Sequence, residues 1–233
     1  MRARSLALVI ALSSALSSVL LPSIVRADET CVIEGELSGV DVVVRRARGI
    51  RRVRFAAPRR VAITPLRPGI ARVRTLDGDA IEGTTRSPLH YVVARPLSLR
   101  EGSLELPRGM PIGRVDVAPH GPWIEISVAL GDGLFLRGAP VPCDAVTLAV
   151  DAETEIIPRE PITLSGPRWR PRTERLYVFP RPDDDSFLRI DAVPESTAHL
   201  IELQRRPGWV RVAFRTALGA RLRAWTQDTS LIR

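Results

Sequence analysis

Gly121-Pro122-Trp123-Ile124-Glu125-Ile126-Ser127-Val128, then Gly131-Asp132-Gly133, then Leu134-Phe135-Leu136-Arg137-Gly138 is the stretch that decides the fold class. Ile124, Ile126 and Val128 recur at period 2, the mark of a strand with one face turned inward. The Gly-rich break and the apolar return predict a hairpin. The pattern recurs twice. Gly69-Ile70-Ala71-Arg72-Val73-Arg74 precedes Asp77-Gly78 and Ala80-Ile81-Glu82-Gly83. Gly208-Trp209-Val210-Arg211-Val212-Ala213-Phe214 precedes Leu218-Gly219 and Arg221-Leu222-Arg223-Ala224-Trp225. Self-similarity of this kind marks a repeated supersecondary unit. Of the turns, Asp77-Gly78 is the strongest hairpin signal, because both residue types tolerate positive φ.

The alternation assigns faces. Val210, Val212 and Phe214, like Ile124, Ile126 and Val128, and more weakly Ala71 and Val73, are expected to face a core. Trp209 and Arg211, Trp123 and Glu125, or Ile70 and Arg72 fall on the other side. A bulky apolar residue beside a charge on an outward face predicts a second contact surface. Further strands are expected before each hairpin, at Val53–Phe55 and Val61–Ile63, at Pro96–Arg100 leading to Leu104–Ile112, and at Leu188–Ile190 and His199–Leu203. Pro and Gly, 20 and 16 residues, are spread along the chain, and no stretch after residue 27 sustains a helical period over three turns. The fold class is therefore all-β, built of many short strands.

Residues 1–27 read as a cleaved signal peptide: Arg2 and Arg4, an apolar run from Leu6 to Leu21, and the small-x-small Val25-Arg26-Ala27. Ser13, Ser14, Ser17 and Ser18 dilute the run, which argues against a retained membrane helix. The expected location is periplasmic or secreted, with no integral membrane segment after cleavage. Cleavage removes three Arg and no acid, so the formal charge of +8 falls to +5 over the remaining 206 residues (233 − 27). Every basic residue other than His is Arg, and Asn is absent, so N-glycosylation sequons are excluded. Cys31 and Cys143 are an even pair in an exported chain and predict one disulfide; two free thiols are the alternative.

Leu97-Ser98-Leu99-Arg100, Leu106-Pro107-Arg108-Gly109-Met110-Pro111-Ile112, Pro122-Trp123-Ile124-Glu125-Ile126 and Gly133-Leu134-Phe135-Leu136 together resemble a bacterial SH3-like (SH3b) module. The match is best over residues 95–140 and 207–226, where Gly208-Trp209-Val210-Arg211-Val212 repeats the Trp strand. The first repeat carries Ile70 at the Trp position. The family's Gly-Trp pair in the return hairpin is absent; Leu134-Phe135 and Ala224-Trp225 stand nearby. The resemblance implies tandem small SH3-like barrels, two or three in number. They would bind peptidoglycan, peptides or partner proteins. The implied division is a β module with Arg-rich strands over 28–94, an SH3-like module over 95–165 and another over 166–233. Four Pro between Pro158 and Pro171 suit a linker.

The chain lacks Gly-x-Ser-x-Gly, His-Glu-x-x-His, Gly-rich phosphate-loop and Cys-x-x-Cys motifs. His90, His120 and His199 have no ligand-like spacing, so no metal or cofactor is expected. Asp183-Asp184-Asp185 could hold Ca²⁺ or form a solvated turn. Arg45, Arg46, Arg51, Arg52 and Arg54 head an Arg run with no acid between Asp41 and Asp77. The run is either an anion-binding patch or a solvated strand face in a chain without Lys. Nucleic acid is not expected as a partner of an exported chain. Trp123, Glu125, Trp209, Arg211 and Trp225 are the candidate ligand contacts; packing between modules is the alternative for the aromatics. The functional expectation is a non-enzymatic exported binding protein of the cell envelope whose partner is a cell-wall polymer such as peptidoglycan. The alternative is a structural or assembly protein whose β modules dock on an envelope protein.

Overall fold

The computed structural model describes residues 31–47, 49–117, 121–149, 165–194, 196–216 and 218–233. The expected leader over 1–27 lies outside them, as do Arg48, His120, Pro158 and Pro161. The described chain is nearly all β, with two short 3-10 turns. In chain order the strands begin with β1 Ile33–Leu37, β2 Asp41–Arg46, β3 Gly49–Arg54, β4 Arg59–Arg67, β5 Ile70–Thr75 and β6 Glu82–Thr85. There follow β7 Tyr91–Val93, β8 Leu97–Leu99, β9 Leu104–Leu106, β10 Pro111–Ile112, β11 Arg114–Val117, β12 Trp123–Gly131, β13 Leu134–Pro142 and β14 Val146–Leu148. The last are β15 Arg168–Pro171, β16 Arg175–Val178, β17 Leu188–Ala192, β18 Leu200–Arg206, β19 Trp209–Arg215, β20 Arg221–Gln227 and β21 Leu231–Ile232.

The three hairpins read from the sequence are β5–β6, β12–β13 and β19–β20. At the tip of β12–β13 the backbone has φ of 107°, 52° and 81° at Gly131, Asp132 and Gly133, which is why two glycines sit there. The β5–β6 connection is longer than a two-residue turn. Thr75 Oγ1 donates to Asp79 O at 2.8 Å and accepts from Ile81 N at 2.9 Å, closing a loop around Gly78. The inward faces are as the alternation demands: Ile124, Ile126, Val128, Val210, Val212, Phe214, Ala71 and Val73 are all buried.

A larger repeat contains these hairpins. The first and third units run as one strand, a hairpin and a three-stranded meander; in the second, Gly113 splits the first meander strand into β10 and β11, which lie in different sheets. The lone strand pairs with the first meander strand in every third: β1 with β4, β7 with β10, β15 with β18. In the second and third units a 3-10 turn follows the meander, Cys143–Ala145 and Asp228–Ser230, and a last strand returns to the first, β14 to β7 and β21 to β15.

The strands assemble into four antiparallel sheets: β1-β4-β5-β6-β2-β3, β10-β7-β14, β11-β12-β13-β17-β16 and β21-β15-β18-β19-β20-β9-β8. None of them closes on itself among the described residues. The β2–β3 hairpin stays on β6 of its own unit. The β16–β17 hairpin instead pairs with β13, and β8–β9 with β20. Residues on either side of 165 thus interlock, and they share one core, from Leu97, Leu104 and Ile124 through Leu176, Ile190 and Val212 to Leu231. The first unit has its own smaller core of Val42, Val44, Val61, Ile63 and Val73, which Leu148 of β14 joins.

Cys31 and Cys143 are disulfide-bonded, with their Cα atoms 5.6 Å apart. The bond ties the start of β1 to the turn before β14. The same two strands also meet directly, where Thr147 Oγ1 donates to Glu34 O at 2.9 Å. A disulfide of this kind fits an oxidising compartment. Among the described residues no helix is long and apolar enough to cross a membrane.

Candidate functional site

On the third unit, alternation sets two kinds of side chain on opposite faces of β16. Leu176 and Val178 are buried in the core, while Tyr177 and the following Phe179 point the other way. Phe179 forms a backbone bridge with Trp225, on the side of β20 that pairs with β9 further along, at Arg221 and Leu222. Register then lines up the outer face, since Arg211 lies opposite Trp225 and Trp209 opposite Gln227. The result is a chain of aromatic contacts. Phe179 meets Trp209 edge-on at 5.3 Å, Tyr177 meets Phe187 edge-on at 5.1 Å, and Phe179 lies 6.0 Å from Phe187. Edge-to-face pairs at such distances are mutually attractive, which fixes ring orientation as well as position. Tyr177 and Phe187 are 40% and 46% exposed, so the cluster opens to solvent.

Three candidate contacts therefore come together here: Trp209, Arg211 and Trp225. Their surroundings differ. Trp209 and Arg211 are half-buried, and Arg211 Nε is shielded with no hydrogen-bond partner among the described residues. Trp225 is only 5% exposed, capped by the Arg206 guanidinium 5.0 Å from its ring centre. It supports the surface from beneath and offers little area to a ligand. Trp123 and Glu125 stand apart on β12, where Trp123 is 45% exposed opposite Pro142, and Glu125 lies between Asp116 and Pro140.

Tyr177, Phe179 and Phe187 escaped sequence reading. The alternation in Arg175-Leu176-Tyr177-Val178-Phe179 carried a usable signal for the first two. Phe187 carried none, because its position depends on how the segment joining β16 to β17 folds back. In that segment, burial acts weakly on Asp184 and its carboxyl is held below the ordinary carboxylate range. The main cause is hydrogen bonding from the Ser186 backbone and hydroxyl, at 2.8 and 2.9 Å. The Asp183–Asp185 run is thus a hydrogen-bonded turn. No group of three or more His, Cys, Asp or Glu able to hold a metal ion occurs among the described residues.

Arg45 and Arg46 end β2, and Arg51, Arg52 and Arg54 line β3; all five are exposed. β3 is an edge strand. Charge along an edge also prevents unwanted strand pairing with other chains.

Comparison with known proteins finds no matching family model, no matching curated protein and no matching solved structure.

Proposed function

We propose that the protein is a non-catalytic binding protein of the cell envelope, exported and built of SH3-like units, that holds a wall polymer such as peptidoglycan on the aromatic face of its third unit. The observation that carries this reading is the contacting set Tyr177, Phe179, Phe187 and Trp209, open to solvent at Tyr177 and Phe187. Rigid aromatic rings offer large contact area at little cost in conformational entropy, and stack on sugar rings or pack against peptide stems. Arg211, beside Trp209 on the same face, supplies a donor for a stem carboxylate. The SH3-like reading is supported by the repeated order of strand, hairpin, meander, 3-10 turn and returning strand. Export is supported by the leader pattern and by the disulfide.

A second reading, docking on an envelope protein, draws on the apolar character of Phe187 and Tyr177, since exposed apolar patches also serve protein contacts. One experiment separates the two. The protein and its Phe187→Ala and Trp209→Ala variants are incubated with purified sacculi at low and high salt. Retention at both salts that either variant loses supports the wall ligand. Retention at low salt alone reduces the interaction to Arg electrostatics. No retention sinks the wall reading and leaves the docking one.

A further inference from the structure

The first unit carries an uncompensated positive charge. Residues 31–90 hold twelve Arg and six Asp or Glu, a net of +6 (12 − 6), whereas residues 91–149 hold five and six, a net of −1 (5 − 6). Every ion pair among the described residues lies within 95–233. The described arginines of the first unit thus have no ion-pair partner among the described residues, and their field extends outward.

Strand register arranges part of this charge in a line. Arg52 on β3 lies opposite Val43 on β2, Val43 opposite Thr84 on β6, Thr84 opposite Arg72 on β5, and Arg72 opposite Thr64 on β4. Directly opposed residues share a face. The row crosses five strands, or about 19 Å at the usual strand spacing, and contains no acid. Asp41, opposite Arg54, and Glu82, opposite Arg74, flank it on the same face.

At the end of this face a cleft of about 490 Å³ opens between the first and second units. Ile70, two residues along β5 from Arg72 and so on the same face, is one wall. Arg67, Arg86 and Arg114 rim the cleft, and Tyr91 lies within it. Arg114 is paired with Asp116 at 2.6 Å; Arg67 and Arg86 have no such partner among the described residues. Burial pushes the Tyr91 hydroxyl up to about 12, so it stays a protonated donor at neutral pH.

We propose that the Arg52–Arg72 row and the adjoining cleft bind an acidic polysaccharide. Spaced guanidinium groups take carboxylate or phosphate bidentately. Thr64 and Thr84 hydroxyls suit sugar hydroxyls, and Tyr91 with Ile70 offers an apolar wall to one ring. The row has no aromatic side chain on which bases could stack, which disfavours single-stranded nucleic acid. The site shares no residue with the aromatic face, so each stands or falls alone.

The test is titration of the protein with oligogalacturonate, with neutral maltooligosaccharide of equal length and with oligodeoxythymidylate. It is repeated for Arg72→Ser/Arg86→Ser and for Arg108→Ser, an exposed arginine of the second unit. Oligogalacturonate binding weakens at least tenfold in the double variant and is unchanged in Arg108→Ser. The slope of log affinity against log salt falls by between one and two in the double variant. Unchanged affinity in the double variant, absent binding, or equal binding of the neutral sugar overturns the proposal. Equal or tighter binding of the oligonucleotide overturns the polysaccharide assignment.

Discussion

Arg137 Nε donates to Asp191 Oδ2 at 3.1 Å, joining β13 of the second unit to β17 of the third. Asp191 also accepts from Arg189 Nε and Nη2, at 2.8 and 3.1 Å. The carboxylate side chain is 21% exposed. Burial alone would raise its pKa, but hydrogen bonds from Arg189 and Arg137 outweigh it and hold the group below the ordinary carboxylate range. A folded pKa below the unfolded one adds stability that is present above the unfolded value and lost as pH falls through the folded value. Asp191→Asn is expected to cost about 1–2 kcal/mol at pH 7. The gap between wild type and variant should narrow as pH drops from 5 to 2, followed by urea midpoints. A gap that stays constant over that range would place the cost in geometry instead of charge.

The disulfide closes a separation of 112 residues, so its removal acts mainly on the unfolded chain. Cys31→Ser/Cys143→Ser is expected to lower stability by about 4–5 kcal/mol on the chain-entropy account. Because the effect is on the unfolded chain, protection of the slowest-exchanging amides should fall by the same amount in all sheets. Loss confined to β1 and β14, the strands that Cys31 and Cys143 precede, would place the bond's effect in the native state instead.

Gly35 of β1 packs closely against Leu148 of β14. A Cβ there would stand 2.9 Å from Leu148 Cβ and 3.1 Å from its backbone nitrogen. Gly35→Ala therefore has to push the strands apart, at a cost of about 1–3 kcal/mol. Gly39→Ala is the informative contrast, since nothing lies within 4 Å of its Cβ position and its cost comes from φ of 68° alone. Thermal melts of the two variants distinguish contact from backbone strain.

Local pattern explains what could be read in advance. Ile124, Ile126 and Val128, or Val210, Val212 and Phe214, declare their faces within one strand, and two cysteines allow one intramolecular pair. Which sheet edge a hairpin joins is not a local property. Leu188-Arg189-Ile190 reads equally well beside any apolar edge, and its pairing with Leu134–Arg137 is fixed by the shared core. Trp225 shows the same limit. Alternation puts it outward with Arg211, yet it is buried: the Arg206 guanidinium, two strands away on β18, caps its ring, and Phe179, distant in sequence, pairs with its backbone. The aromatic face needed both facts at once: the outward parity of Tyr177 and Phe179, and the bridge that carries them to β20.

Trp225 and Phe187 should separate folding from binding on that face. Trp225 is only 5% exposed, so Trp225→Ala leaves a cavity and is expected to cost about 3–5 kcal/mol. Phe187 is 46% exposed and touches only the rings of Tyr177 and Phe179 among its aromatic neighbours. Phe187→Ala should cost less than about 1 kcal/mol, the scale of lost edge contacts, while wall retention falls. Urea midpoints and sacculus retention, measured on the same preparations, give the comparison. If Phe187→Ala destabilises as much as Trp225→Ala, the ring is a structural plug and the aromatic face is not a binding surface.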